Sequence, residues 1–201
     1  TLRRMGGSVV AERRRLKSAF AAVSAASGYT FVFRGEGAFP RADDQLGRLR
    51  DEPGVDLVVT YQSHQAPAAY REPAFNGKYG TAGFGGSSWR STPTVAGTDA
   101  FRYSDGEVAI NAWFVLGQRR DPDPAAGDLV RSLYLHEIGH AMGLDHVTNR
   151  WQMMHNGLLN DAPDRYGAGD RTGLAYLRAQ PCFRTDPDFP VDTGPVAVVG
   201  L

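Results

Sequence analysis

The eleven residues His136-Glu137-Ile138-Gly139-His140-Ala141-Met142-Gly143-Leu144-Asp145-His146 constrain this chain more than any other stretch. They read H-E-x-x-H-x-x-G-x-x-H. On a helix, His136 and His140 stand one turn above each other on one face, close enough to ligate one metal ion. Glu137 lies about 100° further round, so it flanks the metal without ligating it. A carboxylate there is placed to take a proton from an attacking water. His146 joins the site only if the helix stops, because six further helical residues would carry it about 9 Å along the axis from His140. Gly143 sits where that break is needed, since glycine takes the left-handed conformation that ends a helix without a Cβ penalty. Three neutral imidazoles leave the fourth position of a tetrahedral zinc open, as in catalytic rather than structural sites. Glu137, which a purely structural site does not need, points the same way.

The remainder of the chain sets bounds. At 201 residues, 42% of them apolar, it can bury one good-sized core as one domain. Its 22 basic and 22 acidic residues cancel. That balance gives no electrostatic case for nucleic acid or an anionic membrane, and a neutral or peptidic partner fits better. No apolar run approaches the ~18 residues needed to span a bilayer, and no charged segment leads into an apolar one at the start, so no signal peptide is expected in this sequence. Cys182 is the only cysteine and reads as a lone thiol, with no internal disulfide to form.

Apolar residues recur at helical spacing through Val9, Val10, Leu16, Phe20 and Val23. With Ser8 as N-cap and Gly28 just past the end, they predict a helix over 9–26 whose Glu12, Arg13, Arg14, Arg15 and Lys17 form a solvated face. Residues 29–33 and 55–61 read as strands, giving the helix, strand, loop, strand start of an α/β sandwich. Residues 40–54 and 62–80 read as mostly irregular. Phe101-Arg102-Tyr103 before Asp105-Gly106 suggests a hairpin, followed by a strand from Glu107 to Phe114. Asp128 is expected near the start of the metal-site helix, and Leu129, Leu133, Ile138 and Met142 on its sheet-facing side. Asp170 is a cap for a last helix running to about Ala179. Residues 181–201, with Pro187, Pro190 and Pro195, read as an irregular tail after a domain spanning 1–180.

Two further positions offer metal-ligating atoms. His64 lacks a nearby carboxylate cluster and reads as a surface or hydrogen-bonding residue. Asp121-Pro122-Asp123-Pro124 offers oxygen atoms to Ca2+, but reads more naturally as a rigid proline-set loop without a clear calcium motif.

The His136-to-His146 pattern resembles the metzincin metallopeptidases, and the spacing of eight residues from His146 to Met154 is similar to their matrixin-like branch. The resemblance covers 127–178 most firmly and extends over 9–178. It implies a metzincin-like α/β fold: a twisted mixed sheet, an edge strand beside the cleft, a long zinc-site helix, a methionine turn and a C-terminal helix. It implies one Zn2+ held by His136, His140 and His146, with Met154 beneath it; Met153 is a second candidate for that methionine. Where matrix metalloproteinases often carry Tyr-Pro after the methionine, this chain has His155-Asn156. Matrixin-like domains usually place a strand before the first helix, and none is evident before Ser8. Thr81-Ala82-Gly83-Phe84-Gly85-Gly86 aligns by order with the family's edge strand, where small residues let a substrate backbone lie close; the alternative is a plain glycine-rich loop. Residues 156–166 take the position of the specificity-pocket wall. The resemblance further implies a secreted endopeptidase acting on protein or peptide substrates, with Glu137 as general base and acid; the chain is expected to be a monomer. The rival expectations are a zinc-holding peptide-binding module without activity and a zinc hydrolase of non-peptide amides.

Overall fold

A computed structural model describes residues 2–36, 55–63, 75, 80–93, 99–120, 128–157, 161–180 and 195–200. A single 3-10 turn, Arg3–Met5, precedes the first helix, α1 (Val9–Ser27). The Ser8 hydroxyl accepts the Ala11 amide at 3.3 Å, and Gly28 ends the helix at φ +74°. Leu16, Phe20 and Val23 bury its apolar stripe. The charged face is not solvated throughout, as expected from sequence, because Glu12 is fully buried among partners that other elements bring to it. Lys17 places its ammonium 5.1 Å from the Phe33 ring centroid.

Five strands form one mostly parallel sheet: β1 (Phe31–Gly35), β2 (Leu57–Gln62), β3 (Gly83–Pro93), β4 (Asp99–Asn111) and β5 (Val196–Gly200). Their order is β1-β5-β2-β4-β3, and only β3 runs antiparallel to its neighbour. With α2 (Ala112–Arg120), α3 (Leu129–Ala141) and α4 (Ala168–Ala179), the chain is mixed α/β, as its sequence implied. The α3 helix packs against α1, β3 and β4, and α1 also meets α4. No helix among the described residues is long and apolar enough to cross a membrane.

Three expectations are corrected. Residues 196–200 are not irregular tail: β5 lies between β1 and β2, where Phe31 pairs with Val196 and Leu57 with Val198. Its apolar run fits a strand covered on both sides, and Asp56 pins its start by accepting the Ala197 amide at 2.7 Å. No strand precedes α1 among the described residues, and the strand between the first two in the sheet comes from the C-terminal part of the chain. Asp105-Gly106 is not a hairpin turn. It lies within β4, next to a register shift opposite Ser88/Trp89, and Gly106 lets Leu57 of β2 approach where a Cβ would sit 2.5 Å from that side chain. Finally, Ala112 to Phe114 are helical rather than strand. Asn111 ends β4 and accepts the Trp113 amide at 3.0 Å, the cap that starts α2.

Candidate metal centre and its cleft

Helix α3 begins where Asp128 accepts the Arg131 amide at 3.0 Å. Leu129, Leu133 and Ile138 are buried, while Met142 is half-buried at the helix end. Gly143 then adopts φ +95°, and the amides of Gly143 and Leu144 donate to the carbonyls of His140 and Gly139, both at 2.9 Å. The chain therefore turns back as the glycine's position required. Beyond it, the Asp145 side chain accepts the His146 amide at 2.7 Å, and the Val147 amide donates to Met154 at 2.9 Å. These contacts return His146 to the helix.

The three imidazoles converge. Nε2 of His136 lies 3.1 Å from that of His140 and 3.2 Å from that of His146, and the last two are 3.1 Å apart. On the opposite ring edge, Nδ1 of His136 donates to the Met153 carbonyl and Nδ1 of His140 to the Leu144 carbonyl, each at 2.8 Å. A carbonyl only accepts, so both Nδ1 atoms carry the proton and both Nε2 atoms present a lone pair to the centre. Burial lowers the pKa of His136 to about 4 and that of His140 below its ordinary value, which keeps both rings neutral at physiological pH. The cluster could hold a metal ion.

Glu137 is 6% exposed and faces the cleft beside the cluster. Burial raises its pKa to about 8, and a hydrogen bond from the Gly85 amide opposes part of that rise. The cleft encloses about 430 Å³. One wall is Thr81, Ala82, Gly83, Phe84 and Gly85; the other is Leu133, His136, Glu137, His140, Asp145, His146 and Asn156. Gly83 and Phe84 open β3, the edge of the sheet, with Thr81 and Ala82 leading into it. Thus the glycine-containing stretch is strand from Gly83 onward and lies against the metal-site helix.

Met154 is buried with its sulfur against Gly139 of α3, at a spot a Cβ on that glycine would occupy. Met153, also buried, contributes its main chain: the carbonyl orients His136, and the amide donates to Asp170 at 2.7 Å. In the sequence the α4 residue Asp170 reads only as a helix cap. It does accept the Gly167 amide at 2.8 Å, but the same buried carboxylate also receives the amides of Met153 and Met154, the latter at 3.3 Å. Gln152 closes the arrangement by accepting the Asp170 amide at 3.0 Å. Tyr166, at the far end of the 156–166 stretch, is buried and donates to the Leu135 carbonyl at 2.5 Å. The cap pattern made Asp170 visible in sequence; nothing local connected it to residues 16 and 17 positions earlier. His64, Asp121, Asp123 and Cys182 lie outside the described residues.

No protein-family model matches this chain, and no curated protein matches its sequence.

Proposed function

We propose that this chain is a zinc-dependent endopeptidase of the metzincin type, nearest the matrixin-like branch. The observation that carries the reading is the convergence of three imidazole nitrogens at 3.1–3.2 Å, two with their outer nitrogens tied to carbonyls, in the same cleft as a buried carboxylate. Lone pairs so close repel unless a cation lies between them. Nitrogens each bound to a tetrahedral zinc at about 2.0–2.1 Å stand about 3.3 Å apart, so the donor set fits that ion closely. Zinc held there supplies a Lewis acid that polarises a carbonyl and makes water a nucleophile near neutral pH.

The chain's own residues supply the remainder. His136, His140 and His146 would hold the ion. Glu137, buried beside the cluster in the same cleft, would take the proton of the attacking water and deliver it to the nitrogen of the leaving amine. The Ala82 carbonyl accepts the Asn111 amide of β4 at 2.9 Å. By the alternation of an antiparallel ladder, the main-chain groups of Gly83 and the carbonyl of Gly85 face the open edge, where an extended substrate adds as a further strand. Met154 is assigned to the floor of the site and not to substrate.

Loading the chain with zinc and incubating it with casein or gelatin tests the reading. One tightly held zinc per chain and chelator-sensitive loss of intact substrate are expected. Metal-dependent peptide binding without cleavage would replace the enzyme by a binding module, and cleavage restricted to non-peptide amides would replace the peptidase by an amidohydrolase.

A further inference from the structure

One of the two readings of the small residues at the start of β3 gives their room to substrate, but Gly83 and Gly85 face Glu137. A Cβ added at Gly83 would lie 2.6 Å from Cγ, 2.7 Å from Oε1 and 2.9 Å from Cδ of that side chain. A Cβ at Gly85 would overlap the main-chain carbonyl of the same residue. These are alternate positions of one strand, so one face of β3 is pressed onto the helix turn that carries Glu137. The intervening Phe84 is 38% exposed and turns away from that contact. The Gly85 amide lies on the side of the strand that β4 leaves free, and Glu137 takes it.

We infer that Gly83 and Gly85 are positioning residues for Glu137: Gly83 by leaving the space the carboxylate fills, and Gly85 by donating its amide to that carboxylate. The inference rests on Glu137 being the base of the proposed reaction. Freed from β3, the side chain has three rotatable bonds by which to leave its place. A 1 Å misplacement of a reacting group costs on the order of 10²-fold in rate. The edge strand thus has two functions, with Gly85 spending its outward amide on the enzyme's own carboxylate while neighbouring main-chain groups stay open to substrate.

Gly83→Ala is the test, because the added methyl meets the Glu137 side chain, whereas at Gly85 it would meet helix backbone and prevent folding. Gly83→Ala is expected to keep one zinc per chain and lower kcat by about 10²-fold with KM little changed. Gly117→Ala, on α2, has nothing within 4 Å of the added methyl and should leave kcat at the parental level. A second measurement does not depend on activity: the Gly85 amide proton in the metal-free protein, followed by nuclear magnetic resonance. It should move upfield in Glu137→Ala, which removes its acceptor, and in Gly83→Ala, which displaces it. Unaltered kcat in Gly83→Ala, or a Gly85 amide that stays in place when Glu137 is removed, overturns the inference. If the parent protein cleaves no peptide, the proposed function fails and the amide measurement alone decides whether β3 holds the carboxylate. If Gly83→Ala does not fold, the Glu137→Ala arm decides the same question.

Discussion

Glu12 on α1 and Glu137 on α3 are both buried carboxylates, at 0% and 6% exposure, and their surroundings could hardly differ more. Glu12 is enclosed by charge and donors: Arg15 at 2.9 Å, Arg119 from α2, and the hydroxyl of Tyr134 from α3. Tyr61 of β2 donates in turn to Tyr134 at 2.8 Å. Burial pushes both phenols far above their ordinary pKa, so they stay protonated donors. Glu137 has the Gly85 amide and an open cleft, and its pKa rises to about 8. A buried charge that is fully paired ties elements together, here three helices and a strand. A buried carboxylate left partly uncompensated holds its proton to a higher pH. Tyr134 lies two residues before His136, so α3 carries both regions.

The largest expected effect comes from breaking the site side. Glu137→Gln keeps size and hydrogen-bonding shape but removes the base, so zinc content and fold should be retained while kcat falls by about 10²–10⁴-fold, toward the upper end because one carboxylate serves both proton transfers. His140→Ala should lose zinc and activity together, since two imidazoles hold the ion poorly. Zinc analysis and peptide cleavage on the same preparations check both. A Glu137→Gln protein that holds zinc and cleaves at the parental rate sinks the mechanism.

Breaking the other side should do the opposite. Glu12→Gln leaves Arg15 and Arg119 without their counter-charge, and removing one partner of a buried ion pair costs about 3–5 kcal/mol. For a chain of this size that lowers Tm by about 10 °C. Below that temperature, kcat per folded molecule should be unchanged. Thermal unfolding followed by assay at 25 °C separates the two, and a loss of kcat without a loss of Tm would mean that the Glu12 network reaches the chemistry.

A pH titration of the metal-free protein sharpens the contrast. The raised pKa of Glu137 means that the fold binds its proton more tightly than the unfolded chain does. Its contribution to stability is therefore present below about 4.5 and is lost as pH rises through about 8. The lowered pKa of His136 acts with the other sign, its contribution being present above 6.5 and lost as pH falls through about 4. Glu137→Gln removes only the first effect. In chelator, its urea stability should match the parent at pH 4.5 and exceed it above pH 8 by on the order of a few kcal/mol. Equal stability at both pH values would place the Glu137 carboxylate in water.

How much of this was legible follows from where each signal lies. The bounds of α1 and α3 are written in residues that touch them: Ser8 and Gly28, Asp128 and Gly143. The histidine cluster is legible for the same reason, since helical spacing and one left-handed glycine suffice to gather it. Long-range pairing was not. The β5 strand is five residues long and follows a proline-rich segment, and its place is set by partners more than 130 residues earlier. Glu12 looked like one more charge on an arginine-rich face because its burial depends on Tyr134 and Arg119. Asn111 is the instructive miss: in sequence it is one residue of a strand running from Glu107 to Phe114, whereas its side-chain oxygen accepts the Trp113 amide where α2 begins.

A smaller effect is expected behind the histidines. Asp170→Asn keeps the side chain's volume but halves its accepting capacity, so the amides of Gly167, Met153 and Met154 can no longer all be satisfied. The Met153 carbonyl, which orients His136, loses its brace. Partners behind metal ligands typically contribute 10–100-fold, so zinc affinity measured by chelator competition should fall by about that factor. At saturating zinc, kcat should recover. Unchanged affinity would show that the turn holds its shape without the carboxylate.

The smallest effect is expected at Met154, which separates packing from chemistry on the site side itself. Its sulfur lies against Gly139, and its side chain is 1% exposed in a well-filled core. Met154→Leu roughly conserves volume, and such swaps usually cost less than about 1.5 kcal/mol. Branching at Cγ brings a methyl toward Gly139 where the flexible thioether lay, so some of that cost should appear in Tm. Zinc content and kcat should stay near the parental values, because the contacts that orient His136 come from the Met153 main chain, which the substitution does not touch. Loss of zinc from a folded Met154→Leu protein would give the sulfur a part in holding the metal that packing does not explain.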